Sequence, residues 1–116
     1  MIIPSMRERK HYLSIEIFSE RELNSKNIKY ILETHVREVL GSTEAAKAGL
    51  QVLEINPATD KQGLSTVKGM LSVDRKSTLK VRAALALIKE IDGIKASCHV
   101  KGISVTIKRL REKFLS

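Results

Sequence analysis

Residues 75 to 82 carry four cationic side chains and no acid: Arg75, Lys76, Lys80 and Arg82. An apolar stripe at helical spacing follows, and Ser77 is placed to cap that helix by accepting from a backbone N–H of its first turn. A helix N-terminus already carries roughly half a positive charge, so additional cations there favour a bound anion such as a phosphate. The alternative is a solvated basic end on an ordinary helix.

Two further basic segments lie near the ends of the chain. An N-terminal arm, residues 1–10, carries Arg7, Arg9 and Lys10, and a C-terminal helix predicted over residues 104–115 carries Lys108, Arg109 and Arg111. Together with the cations of residues 75–82, these side chains are the predicted contacts to RNA.

Composition indicates the class of partner. The chain has 116 residues, the size of a single domain, and its 21 Lys and Arg against 13 Asp and Glu give a net charge of +8. Such a surplus on a small domain favours a polyanion, nucleic acid before membrane. No apolar run is long enough to span a bilayer, and residues 1–4 do not begin a signal peptide. A single cysteine, Cys98, excludes an internal disulfide, so we expect a cytoplasmic protein.

Hydrophobic periodicity predicts the element order β-α-β-β-α-β. The strands are predicted over residues 11–18, 50–56, 66–74 and 94–101, and the two long helices from Asn24 or Ser25 to Leu40 and from Ser77 to Ile91. This is an α+β fold of the ferredoxin-like, RNA-recognition-like split βαβ type. We expect a four-stranded antiparallel sheet with both long helices on one face and the basic C-terminal helix in addition.

The sheet face away from the long helices is the predicted partner interface. Strand alternation places Tyr12, Phe18 and Met70 on that face, and the C-terminal helix presents Leu110 and Phe114. The tail either packs across this face or leaves it open for a partner. We favour a partner here, because the basic side of the tail also suits RNA.

Motifs for catalysis, metal binding and cofactor binding are missing from the sequence. No histidine stands at metal-ligand spacing with Cys or acids, and no nucleophile elbow, P-loop or dinucleotide turn is present. The third strand offers no aromatic ring for stacking a base, so contacts to phosphate and to RNA shape fit better than base recognition. We therefore expect no active site, metal or cofactor in this chain.

Four segments together resemble a known family: residues 7–13 (RERKHYL), 69–75 (GMLSVDR), 81–88 (VRAALALI) and 102–108 (GISVTIK). The chain is similar to protein component 2 of archaeal ribonuclease P, the family of the eukaryotic Pop and Rpp14 subunits. Two departures are Val105, where the family usually has Gly, and Ser72, near which it often has a basic residue.

The resemblance implies a non-catalytic subunit of the ribonucleoprotein that removes 5′ leaders from precursor tRNA. The RNA of the complex, with magnesium, would perform the hydrolysis. The protein would stabilise that RNA and pair with a TIM-barrel-like ribonuclease P subunit, and a heterotetramer with two copies of each is one arrangement that the resemblance allows.

Two other classes remain open at this point. One is a ferredoxin-like small-molecule regulatory domain, which the glycine-containing loops at Gly41 and Gly49 permit but the net charge does not favour. The other is a generic basic interaction module. A steep salt dependence of RNA affinity would distinguish an RNA-bound subunit from a regulatory domain.

Overall fold

A five-stranded antiparallel sheet organises the protein. The computed structural model describes residues 10–59 and 65–112. The elements in chain order are β1 (Lys10–Ser19), α1 (Ser25–Leu40), α2 (Ser42–Ala48), β2 (Gln51–Thr59), β3 (Ser65–Asp74), a 3₁₀ turn (Arg75–Ser77), α3 (Thr78–Ala86), β4 (Glu90–Ile91), β5 (Ile94–Ser104) and α4 (Ile107–Leu110).

The sheet order is β2-β3-β1-β5-β4. Its four long strands follow the split βαβ arrangement, with β1 and β3 in the centre, so the predicted ferredoxin-like α+β fold is confirmed. The predicted strand count was one too low, because Glu90–Ile91 forms a fifth, two-residue strand against β5. Within the described residues no helix is long and apolar enough to cross a membrane.

The core lies between the sheet and the helices. Leu13, Ile15 and Ile17 alternate along β1 and are fully buried, as the period-two pattern predicted. They pack with buried residues of the two helices that follow β1 and β3: Ile28, Leu32, Val36, Val81, Ala84 and Leu85. Each large apolar side chain buried in this way contributes about 1.5–3 kcal/mol.

Helix α1 begins and ends as predicted. The Asn24 side chain accepts from the backbone N–H of Lys26 at 3.0 Å, and Gly41, at a positive φ of 88°, donates its N–H to the carbonyl of Arg37. His35 is half-buried and its Nε2–H donates to the Ala84 carbonyl at 2.6 Å. This histidine therefore joins α1 to α3.

Helix α3 is shorter than predicted. It ends at Ala86, because the N–H groups of Leu87 and Ile88 bond to carbonyls three residues back and tighten the last turn. Asp92 and Gly93 then take positive φ values of 54° and 77°, a geometry typical of a tight hairpin turn. That hairpin draws residues 90–91 into the sheet, although their sequence alone continues the helical pattern. Ser77 makes no capping hydrogen bond, so that prediction was wrong.

Strand β2 continues through Pro57, where the sequence predicted its end. A proline removes one ladder donor, and this is tolerated at the edge of a sheet. Among the described strands β2 lies at the edge of the sheet and pairs with β3 alone, which explains the difference.

The C-terminal helix also begins later than predicted. Strand β5 extends to Ser104, and the helix starts at Ile107 after Thr106, whose side chain accepts from the N–H of Arg109 at 3.2 Å. Ser104, the first residue of the predicted helix, is the last residue of β5, and its side chain accepts from the N–H of Thr106. The last residues, 113–116, and the predicted arm residues 1–9 lie outside the described residues.

Candidate nucleic-acid interface

One end of the sheet gathers four of the ten predicted RNA contacts. Lys10 lies opposite Asp74 in the strand register, where β1 begins and β3 ends. Arg75 and Lys76 follow Asp74 directly along the chain. Arg109 reaches the same end from α4, because it lines one recess together with His11. We call Lys10, Arg75, Lys76 and Arg109 the basic end.

The 3₁₀ turn fixes the backbone that carries the two central cations. The Asp74 carboxylate accepts from the backbone N–H of Lys76 at 3.1 Å, and the Thr78 hydroxyl donates to the carbonyl of Arg75 at 3.1 Å. The side chains of Arg75 and Lys76 are exposed, and neither forms an ion pair within residues 10–59 and 65–112. Two cations held on an ordered turn without an internal counter-ion are available to an external anion.

Lys80 is not available to an external anion in the same way, because it forms an ion pair within the chain. Its Nζ lies 2.7 Å from the Glu44 carboxylate of α2, and Lys47 lies 3.7 Å from the same group. The hydrogen bond and the charge of Lys80 lower the pKa of Glu44 below its usual value. Arg82, one turn further along α3 than Thr78, is exposed. The ion pair of Lys80 could not be predicted from the sequence, because Glu44 is distant along the chain.

Arg111 is engaged in the same way. Its guanidinium lies 3.2 Å from the carboxylate of Glu54, so it joins the tail to strand β2. Lys108 and Arg109 are exposed on the adjoining helical turn. Arg7 and Arg9 lie outside the described residues, and Lys10 is half-buried at the start of β1.

The predicted partner interface differs from the structure in two of its residues, Met70 and Leu110, which are buried. Leu110 is 0% and Met70 is 1% exposed, although neither belongs to the core between sheet and helices. Helix α4 contacts β1 and β5, and Arg111 reaches Glu54, the register partner of Met70. The tail therefore packs across the part of the open sheet face that contains Met70. In this conformation Met70 and Leu110 are not accessible to a partner. Phe114 lies outside the described residues.

Tyr12 and Phe18 remain half-buried on that face. The Phe18 ring meets His99 edge-on at 5.6 Å between centroids, and the Lys101 ammonium lies 5.8 Å from the Phe18 centroid. Lys101 also pairs with Glu16 at 3.7 Å. The part of the open sheet face around Phe18 thus carries a small cluster of aromatic and charged side chains that α4 does not cover.

The carboxylates and the thiol that could take part in covalent chemistry are either far from one another or buried. Asp74 lies opposite Lys10 in the β1–β3 register, whereas Glu16 lies opposite Lys68, so the two carboxylates are far apart along the strands and form no pair. Burial raises the pKa of the Cys98 thiol to about 12, which leaves it protonated at neutral pH. In the described part of the chain no three potential ligands converge on a metal position.

Comparison with known proteins identifies the family. A model of the Rpp14/Pop5 family matches residues 11–115, nearly the whole chain. The chain belongs to the Rpp14/Pop5 family.

Three curated members, each named ribonuclease P protein component 2, illustrate the similarity. The protein of Pyrococcus furiosus is 33% identical over 113 residues, 97% of this chain and 88% of its own length. That of Methanosarcina mazei is 31% identical over 98% of this chain and 90% of its own length. That of Thermococcus gammatolerans is 32% identical over 97% and 88%. The family resemblance predicted from the four sequence segments is confirmed.

Proposed function

We propose that this chain is a non-catalytic protein subunit of ribonuclease P, which binds and stabilises the catalytic RNA during removal of 5′ leaders from precursor tRNA. Family membership favours this function over a small-molecule regulatory domain or a generic interaction module. The observation that carries the RNA-binding part is the basic end, where Arg75 and Lys76 stand exposed on a fixed turn without an acidic partner in the described residues.

Phosphate contacts at this end fit the helical geometry as well. Arg75 and Lys76 lie in the 3₁₀ turn that leads into α3, so a phosphate bound by their side chains would lie close to the positive end of that helix. Lys108 and Arg109, exposed on α4, extend the same surface. Lys80 and Arg111 contribute less, because Glu44 and Glu54 already balance their charges.

Protein partners are the second part of the proposal. The chain would assemble with a TIM-barrel-like ribonuclease P subunit, as a heterotetramer with two copies of each, in the cytoplasm. Large apolar side chains remain exposed for such a contact. Leu79 on α3 is 77% exposed, Leu87 directly after α3 is 58% exposed, and Val105 before α4 is 60% exposed. These residues are better placed for a partner than the buried Met70 and Leu110. Magnesium would serve the RNA of the complex.

The isolated chain is expected to cleave no precursor tRNA, with or without magnesium. The described residues offer no paired acid and base, no activated thiol and no cluster of metal ligands. Incubation of the purified protein with end-labelled precursor tRNA, after nuclease treatment that destroys any bound RNA, measures this directly. Accurate 5′ cleavage by the protein alone would contradict the proposal.

A further inference from the structure

Two rings from neighbouring strands lie side by side on the open sheet face, beyond the part that α4 covers. Phe18 of β1 is opposite Ser97 of β5, and Glu16 is opposite His99, so all four side chains point to the same face. The Phe18 and His99 rings meet edge-on, with 5.6 Å between their centroids and 60° between their planes. Phe18 is half-buried, whereas His99 is exposed. We call Phe18, Ser97 and His99 the aromatic face.

The exposed imidazole of His99 is held in place by its neighbours. Its Nε2 lies 3.3 Å from the hydroxyl oxygen of Ser97, and the Phe18 ring contacts it from the adjacent strand. A flat ring that is already oriented at a surface loses little conformational freedom when a second flat ring stacks on it. The aromatic face therefore presents a stacking platform of one ring supported by another.

Lys68 of β3 places a cation beside the aromatic face. It is opposite Glu16 in the β1–β3 register and diagonal to Phe18, a separation of about 7–8 Å that a long side chain can span. Lys68 is exposed and forms no ion pair with any residue of 10–59 or 65–112. Glu16 instead pairs with Lys101 at 3.7 Å. Lys68 is thus the cation of this face that is available to a phosphate.

We propose that the aromatic face stacks one unpaired base of a single-stranded RNA segment on His99, with Lys68 at the adjoining phosphate. The inference rests on the proposed function and names the kind of RNA segment that this second surface takes. Aromatic side chains on a sheet stack bases of any identity, because every base has a flat π face. The expectation against base recognition rested on the third strand, which offers no ring, whereas these two rings lie on β1 and β5.

The composition of this surface favours RNA over a protein partner. Among the described residues around it, Phe18 is the single large apolar side chain. The residues beside it in the register are polar or charged: Glu16, Thr66, Lys68, Ser97 and His99. The centre of a protein interface is apolar and depleted of charge, which this surface is not. A stacked nucleotide requires only a flat ring and a nearby cation, and both are present.

The test measures binding of a single-stranded oligouridine of about ten nucleotides, within the usual site size of such surfaces, to the full chain across a salt series. His99→Ala should weaken binding about tenfold, the effect of one lost stacking contact. The slope of log affinity against log salt should stay the same, because no phosphate contact is lost. His99→Phe keeps a flat ring and should bind within about twofold of the wild type. His99 is exposed, so both variants retain the fold.

An abasic oligomer of the same length and charge tests the role of the base directly. The wild type should bind oligouridine about tenfold more tightly than the abasic oligomer, and His99→Ala should remove that preference. Lys68→Gln should leave the preference intact but reduce the salt slope by about 0.7, the value for one phosphate contact to a single strand. An unchanged slope for Lys68→Gln would overturn the assignment of Lys68.

Tyr30→Ala is the matched control for His99→Ala, because Tyr30 is also an aromatic residue and its side chain on α1 is 71% exposed. It should shift the affinity for oligouridine by less than about twofold. A His99→Ala variant no weaker than Tyr30→Ala would overturn the inference. So would an equal loss of affinity in His99→Ala and His99→Phe, since that result would show that the imidazole acts through its nitrogens rather than as a stacked ring.

A structured ribonuclease P RNA transcript separates this inference from the proposed function. If the wild type binds neither the transcript nor oligouridine, the function itself is contradicted. If it binds the transcript with a steep salt slope but shows no preference for oligouridine over the abasic oligomer, the function stands and the inference is overturned. If His99→Ala binds both RNAs normally but no longer assembles with a protein subunit, the aromatic face receives a protein and the inference is likewise overturned.

Discussion

Replacement of Leu110 by alanine should lower the free energy of unfolding of the isolated chain by about 3 kcal/mol, within the usual range of 2–5 kcal/mol for a buried leucine. Leu110 is 0% exposed and joins α4 to the open sheet face. For a domain of this size the melting temperature should fall by roughly 10 °C. Thermal unfolding followed by circular dichroism measures it.

The matched control is Leu79→Ala. Leu79 is also on a helix but is 77% exposed, so the same chemical change should leave the melting temperature within about 2 °C of the wild type. Equal melting temperatures for Leu110→Ala and the wild type would show that the tail does not pack on the sheet in solution. Met70 and Leu110 would then again be open to a partner.

Charge reversal at Arg75 and Lys76 should produce the largest loss of RNA affinity. The double variant Arg75→Glu/Lys76→Glu removes two exposed cations and adds two acids at the start of α3. Loss of two phosphate contacts should reduce the slope of log affinity against log salt by roughly 1.5 to 2 and weaken binding about 100-fold at low salt. Filter binding to ribonuclease P RNA across a salt series gives both quantities.

The double variant Lys26→Glu/Lys29→Glu changes the net charge by the same amount on exposed positions of α1. It should weaken binding only slightly, since the basic end lies at the other end of β1. A third variant, Lys80→Gln, should have an effect smaller than either single change at Arg75 or Lys76, because Glu44 already balances Lys80. An equal loss for both double variants would show that net charge, rather than this site, determines RNA affinity.

Local sequence signals predicted most of the architecture. Alternation along β1 assigned the core-facing residues Leu13, Ile15 and Ile17 correctly, and Asn24 and Gly41 marked both ends of α1. These features depend on residues a few positions apart, so a single sequence contains them. The family resemblance came from the same short segments.

The features that the sequence did not predict depend on contacts between distant residues. Residues 87–91 continue a helical pattern, but the hairpin at Asp92 and Gly93 recruits Glu90 and Ile91 into the sheet. Pro57 is tolerated only because β2 lies at an edge, which the local sequence does not specify.

The sequence predicted some features of the candidate site and missed others. A run of cations without acids singled out Arg75 and Lys76, which are exposed in the structure, and their contact to RNA stays a prediction. It could not show that Glu44 and Glu54, on other elements, balance Lys80 and Arg111. The neighbours of the Phe18 ring could not be predicted from the sequence either, because they come from another strand and depend on its register with β1.

The central claim is that the chain acts as a non-catalytic subunit of ribonuclease P, and a reconstitution with and without it tests that claim most directly. Catalytic RNA and the remaining protein subunits would be assembled at low magnesium, with precursor tRNA as substrate. We expect accurate 5′ cleavage with the wild-type chain, strongly reduced cleavage when it is omitted, and intermediate cleavage with Arg75→Glu/Lys76→Glu. Equal rates with and without the chain would contradict the account.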